Sequence, residues 1–285
     1  MISIKTLQGI EFSIIYDAFA KAFADYDVKP LPKDQILQMV IRRGFKPELS
    51  FGAFENEELV SFTLNGIGIW NGKNTAYDTG TGTIKEYRGM GLAKRIFQES
   101  VPVLKENGIK QYLLEVLQHN DKAVNLYRKQ GFEVSREFDY FTANKSELKF
   151  TPKNLFTEFQ IREIDFPDYN IVSSFWDFKP SWQNTFDSIN RTAQNFKAIG
   201  IFTSSKLVGY GITELNSGDI TQLAVNKNFR KNGIGSVLLQ NLIDLIPGES
   251  IKIINTEKEH ISILGFLKSF GIQRNGSQFE MIKQL

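Results

Sequence analysis

Cysteine is absent from all 285 residues. Its absence excludes disulfides, thiolate nucleophiles and cysteine-based metal sites, and suits a reducing compartment. Histidine is almost as scarce. His119 and His260 are the whole supply, too few for a histidine-rich centre, so no metal is expected. Neither sign of charge dominates. A net charge of +2 gives no electrostatic reason to expect nucleic acid or an anionic membrane as a partner. No long apolar run occurs near the start, where Lys5, Glu11, Asp17 and Lys21 interrupt the hydrophobic residues. Neither a signal peptide nor a membrane span is expected, and the compartment expected is the cytoplasm.

Aromatic residues, by contrast, are plentiful. The 24 Phe, 9 Tyr and 3 Trp suit large cores or an apolar ligand pocket. The length bounds the chain at one large or two medium domains.

Read along the chain, one order of elements occurs twice. A short strand at 2–7 and two helices lead into an antiparallel meander over 50–84, with Asn71-Gly72 as its clearest hairpin turn. A glycine turn follows, then a helix in which Pro102 is expected to make a kink or an end. A strand at 110–117, a helix at 120–130 and strand structure from Glu133 to about Ala143 complete the set. After Pro152 the order restarts, with a strand at 159–166, a Trp- and Phe-rich stretch expected to be helical over 167–192, a meander, a glycine turn, and then helix, strand, helix and strand. Landmarks keep register: Arg88 to Arg230 is 142 residues (230 − 88) and Gly131 to Gly271 is 140 (271 − 131). Two copies of one domain are therefore expected, at 1–146 and 158–285, joined by a linker at 147–157.

The glycine turns read Arg88-Gly89-Met90-Gly91-Leu92-Ala93-Lys94 and Arg230-Lys231-Asn232-Gly233-Ile234-Gly235. Each opens a helix. The first N–H groups of a helix lack intrahelical partners, and the helix dipole adds positive potential there. Such a turn can hold a pyrophosphate. No Gly-Lys-[Ser/Thr] follows, which excludes a Walker loop, and an antiparallel meander is the wrong context for a dinucleotide fingerprint. Two further residues stand out in "LEVLQHNDKAVNLYRKQGF": Glu115, set into an apolar strand, and Tyr127, one turn before a helix end. Alone, Tyr127 reads as either a core aromatic or a proton donor, and Glu115 as either a strand-edge carboxylate or a base.

Taken together, these residues resemble the GNAT acetyltransferase superfamily. The meander, the R-x-x-G-x-[G/A] turn and the helix–strand–helix order do so in both halves. Asn120, Ala123, Leu126, Tyr127, Gly131 and Phe132 match its N-x-x-A-x-x-L-Y-x-x-x-G-F helix. The resemblance implies two tandem α/β (mixed α+β) domains, each a mostly antiparallel twisted sheet with a splayed parallel pair and flanking helices. It also implies acetyl-CoA as co-substrate, bound by residues 88–94 together with Asn120 and Ala123, and direct transfer to an amine on a small molecule or a peptide N-terminus. Glu115 is then the general base and Tyr127 the acid for the departing thiolate. Backbone N–H groups at Gly82, Thr83 and Ile84 would polarise the thioester carbonyl. The other readings are a non-catalytic acyl-CoA-binding or sensing protein, and a transferase for a longer acyl chain.

The second copy keeps the phosphate turn at Arg230, Gly233 and Gly235 but not the acid–base pair. By the register of Gly271, Asn255 stands for Glu115 and Leu267 for Tyr127. This copy either binds CoA idly, shapes the pocket of the first, or serves as scaffold. The cluster Phe175, Trp176, Phe178 and Trp182 reads as an acceptor pocket, an interface or a core.

Overall fold

The computed structural model describes residues 1–25, 31–150 and 158–285. Most of the linker expected at 147–157 therefore lies outside the described residues. In chain order the elements are β1 (Ser3–Thr6), α1 (Phe12–Ala22), α2 (Lys33–Arg42), β2 (Phe51–Glu55), β3 (Glu58–Trp70), β4 (Lys73–Thr83), α3 (Leu92–Glu106), β5 (Gln111–Leu117), α4 (Asp121–Lys129) and β6 (Glu133–Asn144). They continue with β7 (Phe159–Ile164), α5 (Tyr169–Val172), α6 (Phe186–Asn190), β8 (Phe196–Thr203), β9 (Lys206–Glu214), β10 (Asp219–Val225), α7 (Ile234–Leu245), β11 (Ser250–Glu257), α8 (Ile261–Ser269) and β12 (Arg274–Gln284). They form two compact units: Met1–Ser135 with Phe279–Leu285, and Arg136–Gln278.

In the first unit the strand order is β1-β2-β3-β4-β5-β12. The long β3–β4 hairpin turns on Asn71 (φ 51°) and Gly72 (φ 76°), the two left-handed residues that a type I′ turn requires. Helix α1 buries Ile15, Ala18 and Ala22, whereas α3 buries Leu92, Ile96, Phe97, Ser100 and Leu104. The helix does not end at Pro102, and α3 runs on to Glu106. Pro102 sits on the exposed side, and the buried stripe on either side of it keeps the backbone helical.

The second unit has the order β6-β11-β10-β9-β8-β7. Its main core packs Ile234, Leu238, Leu239 and Leu242 of α7 against Val208, Ile220 and Ile251. Gly209 and Gly211 allow this approach, since a Cβ on Gly211 would lie 2.4 Å from Leu242. The aromatic stretch at 167–192 is not one helix. It forms only α5, continued by a 3-10 turn at Ser173–Phe175, a second 3-10 turn at Trp182–Asn184, and α6. Pro167 and Pro180 break the chain, and Asp168 and Thr185 cap short helices.

Two irregularities recur and shape each sheet. In β4 the pairing passes from Leu64↔Gly80 to Asn65↔Asp78 and leaves Thr79 as a bulge. In β10 it passes from Ile220↔Thr213 to Gln222↔Ile212 and leaves Thr221 as a bulge. The bulges are 142 residues apart (221 − 79), the spacing of Arg88 and Arg230. Parallel pairing is also brief in both. Strands β4 and β5 pair only from Thr75↔Gln111 to Tyr77↔Leu113, and β10 and β11 pair only at Asp219↔Lys252. Beyond those points the strands run on unpaired with one another, so each unit has the splayed parallel pair expected of its fold class. Among the described residues no helix is long and apolar enough to cross a membrane.

Candidate active site

Tyr77, Asp78, Glu115 and Tyr127 stand beside the gap between β4 and β5. Helix α4 is started by Asn120, whose side chain accepts the Ala123 N–H at 3.2 Å. That cap sets the helix so that Val124 and Tyr127 pack onto Phe97, Tyr112 and Phe132. The Tyr127 hydroxyl then donates to Asp78 Oδ2 at 3.3 Å. Glu115 lies on the other face of the sheet. Its neighbours Tyr112, Leu114 and Val116 join the core beneath α3 and α4, so by strand alternation Glu115 points away from that core. It meets Tyr77 there, and burial, followed by the charge of Glu115, holds the Tyr77 phenol well above its ordinary pKa. Tyr77 and Asp78 are consecutive and face opposite ways. Tyr127 and Glu115 therefore lie on opposite faces of the sheet beside the β4–β5 splay.

Asp78 escapes sequence reading. In "YDTGTGT" it looks like a turn residue, and only the bulge after it shows that it shares a face with Thr81. It accepts the Gly80 N–H at 2.9 Å and the Thr81 hydroxyl at 2.7 Å. Thr81 Oγ1 is 3.1 Å from Thr63 Oγ1, Ser61 Oγ is 2.8 Å from Thr83 Oγ1, and the Tyr112 hydroxyl donates to Asn65 Oδ1. A polar ladder thus crosses an otherwise apolar face. Burial pushes the Asp78 carboxyl up to about 6, although Thr81, Gly80 and Tyr127 all favour its charged form.

The two glycine turns have one conformation. Gly89 (φ 80°) and Gly91 (φ 74°) are matched by Lys231 (φ 67°) and Gly233 (φ 82°). The arginines that open them are engaged. Arg88 binds Asp25 at 2.6 and 2.8 Å, the Ala22 carbonyl at 2.7 Å and the Thr83 carbonyl at 3.2 Å, and its hydrogen bond lowers Asp25 to about 2. Arg230 binds Asp177 at 3.0 Å, the Phe175 carbonyl at 2.9 Å and the Val225 carbonyl at 3.1 Å. Both side chains tie the turn to the strand before it and to the segment ahead of the meander. The N–H groups without intrahelical partners at the two turns are those at the starts of α3 and α7, Leu92, Ala93 and Lys94, and Ile234 and Gly235. Met90 and Lys94 are exposed beside the first turn. Of the backbone donors expected at Gly82, Thr83 and Ile84, the Ile84 N–H goes to the Val60 carbonyl at 3.0 Å. Antiparallel alternation turns Gly82 the same way and leaves the Thr83 N–H facing the gap. Gly82 is itself constrained, since a Cβ there would lie 2.6 Å from Phe62.

A cavity of about 720 Å³ occupies the corresponding place in the second unit. It runs from the turn (Arg230, Gly233, Gly235) through the splay to Phe175, Trp176 and Phe178. Leu267 and Asn255 line it, whereas Trp182 is buried in the core. The ladder refines the equivalence of Glu115. If Tyr77↔Leu113 matches Asp219↔Lys252, the β5-to-β11 offset is 139 (252 − 113), and Ile254 takes the place of Glu115. Asn255 is an inserted residue in left-handed conformation (φ 61°), at the irregularity between Ile253 and Thr256.

A splayed parallel pair, a bulged strand and a glycine turn capping the next helix, all present twice, define a tandem acyltransferase of two similar domains. The pattern of the acetyltransferase (GNAT) family matches residues 13–132 and 159–272. The chain belongs to that family and is an acetyltransferase. It is 31% identical over 106 residues to N-alpha-acetyltransferase 30 of Schizosaccharomyces pombe, covering 36% of this chain and 71% of that protein. In fold it is similar to a tandem GNAT protein from the clavulanic acid biosynthesis pathway (11% identity, 100% and 98% of the two chains, TM-score 0.72). It is also similar to a GCN5-related N-acetyltransferase from Sphaerobacter thermophilus (13% identity, 99% and 95%, TM-score 0.72). Members of the family use acetyl-CoA as acetyl donor. The turns fit its pyrophosphate, and the splayed strands leave backbone donors for an extended chain between them.

Proposed function

We propose that the protein transfers the acetyl group of acetyl-CoA directly to an amine, and that transfer runs in the first unit. The observation that carries this reading is the placement of Tyr127 and Glu115 on opposite faces of the sheet beside the β4–β5 splay. Acetyl-CoA supplies the activated acyl carbon and a thiolate leaving group. Glu115 takes the proton released as the amine nitrogen bonds to that carbon, and Tyr127 gives a proton to sulfur as the C–S bond breaks. The Thr83 N–H supports the carbonyl oxygen, and the amides at Leu92–Lys94 hold the phosphates. Similarity to an N-alpha-acetyltransferase supports a peptide α-amino group as the first acceptor to try.

The test is turnover on a panel of peptides and small amines, with product detected by mass. Tyr127→Phe is expected to lower turnover roughly 10²–10⁴-fold and to leave acetyl-CoA affinity unchanged. Glu115→Gln is expected to act likewise. Gly91→Asp places a carboxylate where phosphate sits, and Gly91→Asn carries the same backbone strain without charge. Calorimetry should give weaker acetyl-CoA binding for Asp than for Asn. Wild-type turnover in the Glu115→Gln, Tyr127→Phe double variant, combined with loss in Gly233→Asp, would move the active site to the second unit.

For the second unit the cavity supports a different reading. It keeps the glycine turn, has Ile254 and Leu267 where the base and acid stand in the first unit, and on this proposal holds CoA without transfer chemistry.

A further inference from the structure

We infer that the cavity of the second unit selects acyl-CoA with an acyl chain longer than acetyl. This rests on the reading of the Arg230–Gly235 turn as a CoA site and adds what occupies the space beyond it.

The two units can be compared position by position. The bulges make Asp78 equivalent to Ile220 and Asn65 to Thr213. The parallel ladders make Tyr112 equivalent to Ile251, and the helix register makes Tyr127 equivalent to Leu267. In the first unit these four positions form one polar cluster, with Asp78 bonded to Tyr127 and Tyr112 to Asn65. In the second, three of the four are aliphatic and join the apolar core. Asp78 and Tyr127 touch, and both have been exchanged. Ile220 and Leu267 both line the cavity, so the groups that would hold a small polar reacting centre are replaced by a surface that favours methylenes.

The opposite wall agrees. Its polar groups are satisfied by one another: Trp176 Nε1 donates to the Tyr210 hydroxyl, which donates to Gln222 Oε1, and Gln222 Nε2 donates to the Asn184 carbonyl, each at 2.6 Å. Asn255 donates to Ser181 Oγ at 2.7 Å and accepts from Gln278. Burial raises the Tyr210 phenol far above its ordinary value, so it is a poor proton donor. Wall and floor therefore present Trp176, Phe178, Ile220 and Leu267, and the lining carboxylate Asp177 is bound to Arg230 at the turn. At 720 Å³ the cavity is of the size that takes a drug-sized ligand, and a chain of several carbons fills apolar space that an acetyl methyl leaves open.

The test is calorimetry on the full-length Gly91→Asp protein with CoA, acetyl-CoA, butyryl-CoA and hexanoyl-CoA. The component of interest is the one lost in Gly91→Asp, Gly233→Asp. Its affinity is expected to rise by up to about fourfold for each buried methylene, roughly tenfold to a hundredfold from acetyl to hexanoyl. Leu267→Phe, which fills the space, and Ile220→Asn, which restores polarity, should each reduce that gain and leave affinity for CoA itself nearly unchanged. Equal affinity for all four ligands overturns the chain-length inference but leaves the CoA reading standing. No binding of any of them in Gly91→Asp overturns the CoA reading of this turn and the inference with it. Hexanoyl transfer by the Glu115→Gln, Tyr127→Phe variant would show that the second unit is not inert.

Discussion

A half-buried carboxylate such as Asp78 weakens the fold when it is charged, and here the sign can be worked out. Its folded-state pKa of about 6 lies above that of an unfolded aspartate near ~3.9. The protonated form is thus the better tolerated one. The contribution of Asp78 to stability is fully present below about pH 4 and is lost as pH rises through about 6. Asp78→Asn removes the titration. Denaturant unfolding at pH 4.5 and pH 8 should show the variant gaining on the wild type at the higher pH, by up to ~3 kcal/mol. A pH-independent difference would mean that the carboxyl does not titrate in this range. Asp78 accepts the Tyr127 hydroxyl, so on the proposed mechanism Asp78→Asn should also lower turnover without changing acetyl-CoA affinity.

Among the elements, the turn before α3 depends on a side chain that never needs to meet ligand. Arg88 joins Thr83 at the end of β4 to Ala22 at the end of α1, and Arg230 repeats the device between Val225 and Phe175. A planar fork can serve several carbonyls and a carboxylate at once, which a lysine cannot. Arg88→Lys should destabilise the first unit by about 1–2 kcal/mol, the scale of a charged hydrogen bond. It should also speed hydrogen exchange at Leu92–Lys94 and weaken acetyl-CoA binding. Unchanged exchange there would show that the glycines alone hold the turn.

At the scale of the molecule, the last residues of the chain complete the first unit. Phe279–Leu285 group with Met1–Ser135, Met281 is fully buried beside Tyr112 and Phe97, and Leu285 N–H donates to the Lys110 carbonyl at 3.0 Å. Lys73 Nζ reaches Gln284 Oε1 at 2.8 Å. Met281→Ala should therefore cost about 2–5 kcal/mol and reduce transfer by a site formed of residues before 135. A protein ending at Gln278 should lose acetyl-CoA binding at the first turn. Full retention by that truncation would show that β12 is dispensable to the site.

The repeat, the two glycine turns and the α4 helix with its Asn120 cap and Tyr127 were legible in the sequence because each depends on short-range signals. Left-handed glycines, a cap three residues from the N–H it satisfies, and the apolar stripe of a helix all fit within one or two turns of chain. The same signals allowed an end at Pro102, where α3 continues to Glu106. They also missed Asp78 entirely. Side chains alternate along a strand, and one bulge at Thr79 moves every later residue to the other face. Where the bulge falls shows in the pairing of β4 with β3, and not in β4 by itself. The opposite facing of Tyr127 and Glu115, the insertion at Asn255, the aliphatic floor under Leu267 and the grouping of Phe279–Leu285 with the first unit are of the same kind. Each is set by pairing between segments far apart in the chain, so the ladders and the packed core decide them.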